Sequence, residues 1–185
     1  MRSVAVVLAA GGGERFSGPQ HKLLSQFRGR PLITWALDGA LGAGLGATIV
    51  VVGAVELSRL LPAEVTVVVN ERWREGQATS LQAGIGWARS GGFDAAVVGL
   101  GDQPLVPSEA WRLVAASRFP LAIASFQGAR MPPARLSADV WHLLAQEGDV
   151  GARSVMADHP EMVEEIACPG QPIDIDTLED MGRWS

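Results

Sequence analysis

Residues 3–22 have the sequence SVAVVLAAGGGERFSGPQHK, and the interpretation of the chain starts from this stretch. Residues 3–9 are an apolar run of the kind that forms a buried strand. Three glycines follow, and a glycine lets backbone N–H groups approach an anion without a Cβ in the way. Arg15 and Lys22 come just beyond and supply positive charge that backbone amides only partly provide. The stretch therefore predicts a strand that leads into a phosphate-binding loop.

This loop differs from two familiar phosphate-binding patterns. No Lys-Ser or Lys-Thr pair follows the glycines, as the Walker pattern requires, and no third glycine stands at the offset of a dinucleotide-binding turn. The alternative is a flexible glycine turn without a ligand. The two cations beside it favour the phosphate-binding interpretation.

Further short apolar runs alternate with helical patterns along the chain. The predicted strands cover residues 47–52, 65–69, 95–100 and 121–125. The predicted helices cover residues 31–41, 79–88, 108–116, 138–145 and 151–157. Strands that alternate with helices indicate an α/β fold of three layers with a mainly parallel sheet. No linker or repeat interrupts the pattern, so a single domain over residues 1–185 is expected, with residues 126–136 as a loop or broken edge strand because of Gly128, Pro132 and Pro133.

Composition limits the classes of function. The formal net charge of -5 argues against a nucleic-acid-binding surface, which needs a basic stripe, but it does not oppose nucleotide binding. Cys168 is the single cysteine, which fits a reducing cytoplasm, and no apolar run approaches the roughly 20 residues of a membrane helix. The N-terminal apolar run faintly resembles a signal peptide. It is short, however, and the glycines that follow it are better explained by a phosphate-binding loop. We therefore expect a cytoplasmic protein without a membrane partner.

Carboxylates follow the predicted strands where ligands bind in such sheets, beyond the carboxyl ends of the strands. Asp102 comes directly after the strand over residues 95–100, where a carboxylate is well placed to hold Mg²⁺. The alternative is an aspartate that caps a turn. Near the C-terminus, alternation places Asp174 and Asp176 on one side of an extended segment, where they could complete a metal site. Asp176 or Thr177 could instead, or in addition, cap the following helical turn.

A second glycine-containing loop runs from Asn70 to Leu81. Gly76 allows a close backbone approach, and a small hydroxyl residue such as Ser80 near the start of a helix can bind a base edge or a phosphate. The simpler interpretation of Trp73 in this loop is packing under it.

Together these segments resemble the MobA-like nucleotidyltransferases, and within them the molybdenum cofactor cytidylyltransferases (MocA-like). The resemblance extends over nearly the full length and keeps the order of the motifs. The matching positions are Leu8-Ala9-Ala10-Gly11, Arg15-Phe16 and Lys22; Asn70, Trp73, Gly76, Ser80, Leu81 and Gly84; Asp102-Gln103-Pro104; Gly148, Asp149, Gly151 and Ala152; and Asp174 to Thr177.

The resemblance implies a Rossmann-like nucleotidyltransferase domain that uses Mg²⁺ to transfer CMP from CTP to molybdopterin and releases pyrophosphate. Ala10 is typical of the cytidylyl branch. The alternatives are a guanylyl or uridylyl transferase with another small phosphorylated acceptor, and a nucleotide- or cofactor-binding module without turnover. A molybdoenzyme or its chaperone is a further expected partner.

The resemblance also implies a role for each matching position. The catalytic residues are Arg15, Lys22 and Asp102, and the metal ligands are Asp102 and Asp176. The nucleotide-binding residues are Leu8, Ala9, Ala10, Gly11, Gly12, Gly13, Asn70, Gly76 and Ser80. The substrate-binding residues are Asp149 and Arg130. The chain departs from the family pattern at Gly13, where a serine is usual, in the longer spacing from Arg15 to Lys22, and at Pro132, where a histidine is usual.

Overall fold

The computed structural model describes residues 1–185 and is built from nine strands and five α-helices. The strands are β1 (Ser3–Ala9), β2 (Gln26–Phe27), β3 (Arg30–Pro31), β4 (Ala47–Val52), β5 (Val65–Val69), β6 (Ala95–Leu100), β7 (Leu121–Phe126), β8 (Ala129–Ser137) and β9 (Val163–Ala167). The helices are α1 (Leu32–Gly42), α2 (Gln77–Ser90), α3 (Ser108–Ala115), α4 (Arg153–Asp158) and α5 (Leu178–Trp184). Short 3₁₀ turns cover Lys22–Leu24, Ser58–Leu60, Trp73–Glu75, Ala138–Leu143 and Pro160–Met162.

Seven strands form one sheet in the order β5-β4-β1-β6-β8-β7-β9, and β2 pairs with β3 in a separate hairpin. Strand β1 pairs in parallel with β4 on one side and with β6 on the other. Only β8 runs antiparallel to its neighbours, β6 and β7. The predicted α/β fold with a mainly parallel sheet is therefore confirmed.

Helices cover both faces of the sheet, which explains why β1 is apolar throughout. Ala5 and Val7 enter the core under α1 and α3, whereas Val4 and Val6 enter the core under α2. All four side chains are fully buried, and burial of a valine stabilises the fold by about 1.5–3 kcal/mol. A strand that faces two cores has no polar side, so it reads as a continuous apolar run.

The prediction of a loop or edge strand over residues 126–136 is wrong, because β8 lies in the interior of the sheet. On β7, Ile123 pairs with Ala134 and the next residue, Ala124, pairs with Met131. Pro132 and Pro133 thus form a bulge that has no partner on β7. Proline has no N–H to donate to a strand ladder, and a bulge is the place in a sheet that needs none.

Other elements differ from the sequence prediction in detail. The helix expected over residues 138–145 is a 3₁₀ turn over Ala138–Leu143, and the one expected over residues 151–157 begins at Arg153. Strand β9 was not predicted. Helix α5 follows the turn that Asp176 or Thr177 was expected to cap, and the Asp180 N–H donates to Thr177 Oγ1 at 3.1 Å, so the cap by Thr177 is confirmed. No helix in the structure combines the length and the apolar character that a membrane crossing requires.

The parallel strands β1, β5 and β6 end at the same edge of the sheet and deliver three loops to it. The glycine loop follows β1, Asn70 follows β5, and Gly101-Asp102 follows β6. The N–H of Gly101 donates to the carbonyl of Leu8 at 2.9 Å, which joins the first of these loops to the last.

Candidate active site

A cleft of about 940 Å³ opens at this edge of the sheet. It brings together most of the residues that the sequence singles out. Those that line it are Leu8, Ala9, Ala10, Gly11, Gly12, Gly13, Arg15, Lys22, Gly76, Ser80, Asp102, Asp149, Asp174 and Asp176. Asn70 and Arg130 are not among the lining residues.

The glycine loop is held in place by His21. The His21 Nε2 lies 3.0 Å from the carbonyl oxygen of Gly11, and the N–H of Leu23 donates to its Nδ1 at 3.3 Å. A ring nitrogen that accepts from an N–H carries no proton, so Nε2 bears the proton and donates to Gly11. Burial lowers the pKa of His21, and the neighbouring positive charge of Lys22 acts in the same direction. His21 is therefore a neutral side chain that hydrogen-bonds both ends of the loop, at Gly11 and at Leu23.

Lys22, the only lysine of the chain, lies between two carboxylates. Its Nζ is 2.6 Å from Asp102 Oδ2 and 2.9 Å from Asp176 Oδ1, and its side chain is only 12% exposed. Burial disfavours the charged ammonium, but Asp102 and Asp176 outweigh that cost and raise the pKa of Lys22. Arg15 Nη2 contacts the other oxygen of Asp176 at 2.9 Å from an exposed position.

Asp102 and Asp174 add negative charge that these cations only partly offset. The Asp102 Oδ1 atom is buried and has no hydrogen-bond partner. Burial raises the pKa of Asp174, and the nearby charge of Asp102 raises it further, although the buried Gln103 donates to Asp174 Oδ1 at 2.8 Å. The fully buried Ile175 anchors the segment between the two aspartates, and its N–H donates to the Asp102 carbonyl. The predicted alternation of Asp174 and Asp176 towards one side is confirmed, since both line the cleft.

The oxygen donors of the cleft fit a divalent cation. An unpartnered buried oxygen on Asp102 beside the carboxylate of Asp176 offers the hard ligands that Mg²⁺ or Mn²⁺ prefers. No three His, Cys, Asp or Glu side chains converge into a complete metal site. Mg²⁺ commonly binds through one or two carboxylates and fills its other positions with water and substrate phosphates, so a complete protein cage is not needed.

Asn70 lies behind the cleft and positions one of its lining residues. Its side chain is buried, and its Nδ2 donates to Thr79 Oγ1 and Ser80 Oγ, both at 2.9 Å. This arrangement holds the first turn of α2 against the end of β5. Asn70 therefore does not line the cleft itself but holds Ser80, which does, in position.

Trp73 both packs under the glycine loop and lines the cleft. A Cβ on Gly12 would lie 3.1 Å from its ring, so the loop is in contact with the indole. The guanidinium of Arg74 lies 4.2 Å from the centre of the same ring. Trp73 thus packs against the glycine loop after β1 rather than only under its own loop, and Arg74 is a cation of the cleft that the sequence analysis did not single out.

Gly76 is the point where the loop carrying Asp149 meets α2. Its φ of +107° lies in the region that favours glycine, and a Cβ there would collide with the backbone of Gly148. The Ala78 N–H donates to the carbonyl of Gly148 at 2.9 Å, and the Gln77 N–H donates to Asp149 Oδ1 at 3.2 Å. These contacts place Asp149 at the mouth of the cleft.

Arg130 lies in a neighbouring pocket of about 370 Å³. Its Nε donates to Glu165 Oε2 at 2.7 Å. Leu8, Gln77, Leu100 and Asp149 line both cavities, so the pocket adjoins the cleft along a shared wall. Arg153, which lines the pocket, was missed by the sequence analysis; its one signal is that it directly follows the Gly-Asp-x-Gly-Ala motif.

The comparison with known families agrees with this geometry. The model described as "MobA-like NTP transferase domain" matches residues 5–163. The chain therefore belongs to the MobA-like NTP transferase family, and it is a nucleotidyltransferase by class.

Individual relatives are similar over nearly their full length. The chain is 31% identical to the nicotine blue oxidoreductase of Paenarthrobacter nicotinovorans, over 96% of this chain and 94% of that protein. It superposes on the crystal structure of Rv0371c from Mycobacterium tuberculosis H37Rv with a TM-score of 0.85 and 28% identity, over 99% and 97% of the two chains. A structure of Rv0371c in complex with manganese superposes with a TM-score of 0.81 and 27% identity, over 100% and 98%.

Proposed function

We propose that the chain transfers CMP from CTP to molybdopterin, with Mg²⁺ as the metal and pyrophosphate as the leaving product. Residues 1–185 act as one nucleotidyltransferase domain. The observation that carries the proposal is the placement of Lys22 between Asp102 and Asp176 at the end of a glycine loop. Cations and carboxylates grouped beside free backbone amides are what a triphosphate and its metal require.

The reaction forms one P–O bond and breaks another. A phosphate oxygen of the acceptor attacks the α-phosphorus of CTP in line, and the bond to the bridging oxygen of pyrophosphate breaks. The attacking oxygen is already an anion, so no general base is needed. Catalysis therefore consists of positioning and of neutralising the charge that develops on the phosphates.

Residues of the cleft divide this work. In the proposal, the backbone of Leu8, Ala9, Ala10 and Gly11 reads the base, and Gly12 and Gly13 admit the phosphates. Lys22 and Arg15 bind the triphosphate oxygens on which charge accumulates. Asp102 and Asp176 hold Mg²⁺, which supplies further neutralisation when bound. Asp149 and Arg130 face the acceptor. Gly76, Ser80 and Asn70 shape the wall between the nucleotide and the acceptor.

The choice of CTP rests on Ala10 and on the resemblance to the cytidylyl branch. Guanylyl or uridylyl transfer to another small phosphorylated acceptor is the competing proposal within the class. The manganese complex of Rv0371c is a property of that relative and supports a divalent metal here. We place the reaction in the cytoplasm and propose a molybdoenzyme or its chaperone as the receiver of the product.

A thermal-shift panel of CTP, GTP, ATP and UTP, each with and without Mg²⁺, is the first test. A ligand that binds only the native state raises its apparent stability by mass action. An increase in melting temperature specific to Mg-CTP supports the proposal. An increase specific to another nucleotide would keep the reaction and assign that nucleotide as the substrate. Release of pyrophosphate from CTP on addition of molybdopterin, abolished by Asp102→Ala, then separates an enzyme from a binding module.

Reduced nicotinamide cofactors belong in the same panel, because the relative from Paenarthrobacter nicotinovorans is named an oxidoreductase. We expect no shift with them. A shift with a reduced nicotinamide cofactor and none with any nucleoside triphosphate would replace nucleotidyl transfer by hydride transfer as the function.

A further inference from the structure

Asp176 lies in a segment that no strand or helix holds in place, since residues 168–177 belong to neither. Its carboxylate nevertheless has a defined place in the cleft. Oδ1 contacts Lys22 and Oδ2 contacts Arg15, both at 2.9 Å. A side chain that binds a metal or a reacting group has to be held to within about 0.5 Å of its working position. The backbone on both sides of Asp176 therefore needs contacts that fix it.

Different elements fix the backbone on the two sides of Asp176. On the preceding side, the fully buried Ile175 donates its N–H to the Asp102 carbonyl at 3.0 Å. On the following side, Asp180 in the first turn of α5 reaches back. Its Oδ2 accepts from the Asp176 N–H at 3.2 Å and from the Thr177 N–H at 2.9 Å. The same oxygen accepts from Thr177 Oγ1 at 2.8 Å.

The hydrogen bond from Asp176 to Asp180 is more than the cap of α5 requires. In a capping box the side chain of the first residue binds the N–H three residues later, and the side chain of that later residue binds the first N–H. Thr177 and Asp180 satisfy both conditions between themselves. The additional bond extends the cap by one residue towards the cleft, to the residue that contacts Lys22.

Asp180 itself does not reach the cleft. It is not among the lining residues, and its carboxylate forms no ion pair. The hydrogen bonds from Thr177 lower the pKa of Asp180, so the carboxylate is ionised and accepts strongly. An effect of Asp180 on a ligand in the cleft therefore has to pass through Asp176.

We infer that Asp180 is a positioning residue, whose carboxylate holds the backbone N–H of Asp176 and thereby sets where the Asp176 carboxylate lies in the cleft. The consequence for a metal rests on the proposed function, in which Asp176 is a metal ligand. Ligating carboxylates are commonly held by hydrogen bonds that tune their affinity for the metal. The contact between Asp176 and Lys22 exists without a metal and gives an independent measure of the same position.

The chemical reactivity of Lys22 reports on Asp176 without a metal. Lys22 is the only lysine of the chain, its side chain is 12% exposed, and Asp102 and Asp176 hold its amine. Reductive methylation followed by mass spectrometry gives its rate of modification, with the N-terminal amine of the exposed Met1 as internal standard. We expect Asp180→Ala to raise the rate at Lys22, relative to this standard, by about threefold or more, the scale of one lost hydrogen bond. Asp180→Asn, which keeps an acceptor oxygen, should stay close to wild type.

Further variants separate this effect from a weakened helix. Glu179→Gln removes an exposed charge from the same turn of α5 and is the matched control, which should leave the rate unchanged. Thr177→Val removes the hydroxyl of the cap but leaves the Asp176 N–H bonded to Asp180, so its effect should be smaller than that of Asp180→Ala. Thermal melts confirm that each variant is folded. If Asp180→Ala does not fold, Asp180→Ser replaces it, because its hydroxyl ends one bond short of Oδ2.

The affinity for Mn²⁺ tests the consequence for the metal. Mn²⁺ is titrated by calorimetry into the full chain saturated with a non-hydrolysable CTP analogue, and the analogue is titrated separately without metal. We expect Asp180→Ala to weaken Mn²⁺ binding by about tenfold, the typical effect of removing a hydrogen-bond partner of a metal ligand. Asp180→Asn should recover most of this loss. The affinity for the analogue alone should not change, whereas a general loss of structure would weaken both ligands.

The outcomes separate the inference from the proposed function. Equal modification of Lys22 in Asp180→Ala and Glu179→Gln overturns the inference, and so does an Asp180→Asn variant that is modified as fast as Asp180→Ala. Faster modification with unchanged Mn²⁺ affinity supports the positioning role and removes Asp176 from the metal ligands of the proposed function. If the wild-type chain binds neither the analogue nor Mn²⁺, the proposed function fails, while the rates at Lys22 still decide the role of Asp180.

Discussion

The nucleotide cleft and the apolar pocket share a wall but are built by different physical means. The cleft is a set of charges held close together, with Lys22 in contact with Asp102 and Asp176. The pocket is a gap between two strands that is lined mostly by hydrocarbon. Electrostatics of fixed charges suits a triphosphate, which is the same in every nucleotide substrate. Shape and apolar contact suit an acceptor, which differs from one enzyme to another.

Asp102→Asn tests the cleft half of this comparison and should have the largest effect. We expect turnover to fall by about 10³-fold or more, because the proposed metal ligand, which would help to neutralise the phosphates, is lost. Initial rates of pyrophosphate release measure the loss. Glu64→Gln removes one carboxylate from an exposed position and is the control. A decrease of only a few-fold in Asp102→Asn would show that the metal is held elsewhere.

Lys22→Ala should follow, with a loss of roughly 2–4 kcal/mol of transition-state stabilisation. The same change leaves Asp102 and Asp176 facing each other without the cation between them, so the free protein should bind Mn²⁺ more tightly than wild type does. Calorimetry without nucleotide measures this second effect. Turnover within a few-fold of wild type, or unchanged Mn²⁺ affinity, would contradict the placement of Lys22.

Gly76→Ala tests the joint between cleft and pocket. The positive φ and the collision of a Cβ with Gly148 should cost about 2–3 kcal/mol of unfolding free energy. Gly86→Ala is the matched control, since it lies in α2 with open space around its Cβ and should gain about 0.5–1 kcal/mol. Urea denaturation measures both. Equal midpoints for the two variants would mean that the loop carrying Asp149 is not fixed where the structure has it.

The pH dependence of stability should show the smallest effect, and it reports on the glycine loop. The pKa of His21 is lowered in the folded protein, so between the folded and the unfolded pKa the unfolded chain binds more protons. Stability is therefore fully present above about pH 6.5 and falls as the pH drops below it. His21→Gln should flatten this slope in thermal melts between pH 5.5 and 7.5. An equal slope in His21→Gln would place the titrating group elsewhere.

The sequence predicted the parallel part of the fold and the loops of the cleft because those signals are local. A strand buried on both faces, such as β1, is apolar at every position, and the glycines follow it directly. The interior strand β8 was missed because its two prolines oppose a strand when judged locally, and only the register against β7 shows that they lie in a bulge. Whether residues 129–137 form a strand therefore depends on their pairing with β7 and β6 and not on the local sequence.

The site divides in the same way. The sequence named Lys22, Asp102 and Asp176 one by one, but their direct contact depends on segments far apart in the chain. It named Asn70 as a nucleotide contact, which stays a prediction, and it gave no sign of the hydrogen bond from the Asn70 side chain to Ser80 Oγ. Arg153 and Arg74 carry no pattern of their own, since a solvent-exposed arginine looks the same whether or not a cavity lies beneath it.

The proline bulge has a consequence for how this enzyme can diverge. The ladder between β7 and β8 is complete on both sides of Pro132 and Pro133, so the sheet does not depend on what fills the interruption. None of the residues that hold charge in the cleft belongs to it. Substitutions within the interruption are therefore expected to change the shape of the pocket that Met131 and Pro132 line, while the strand ladders and the charged groups of the cleft stay in place.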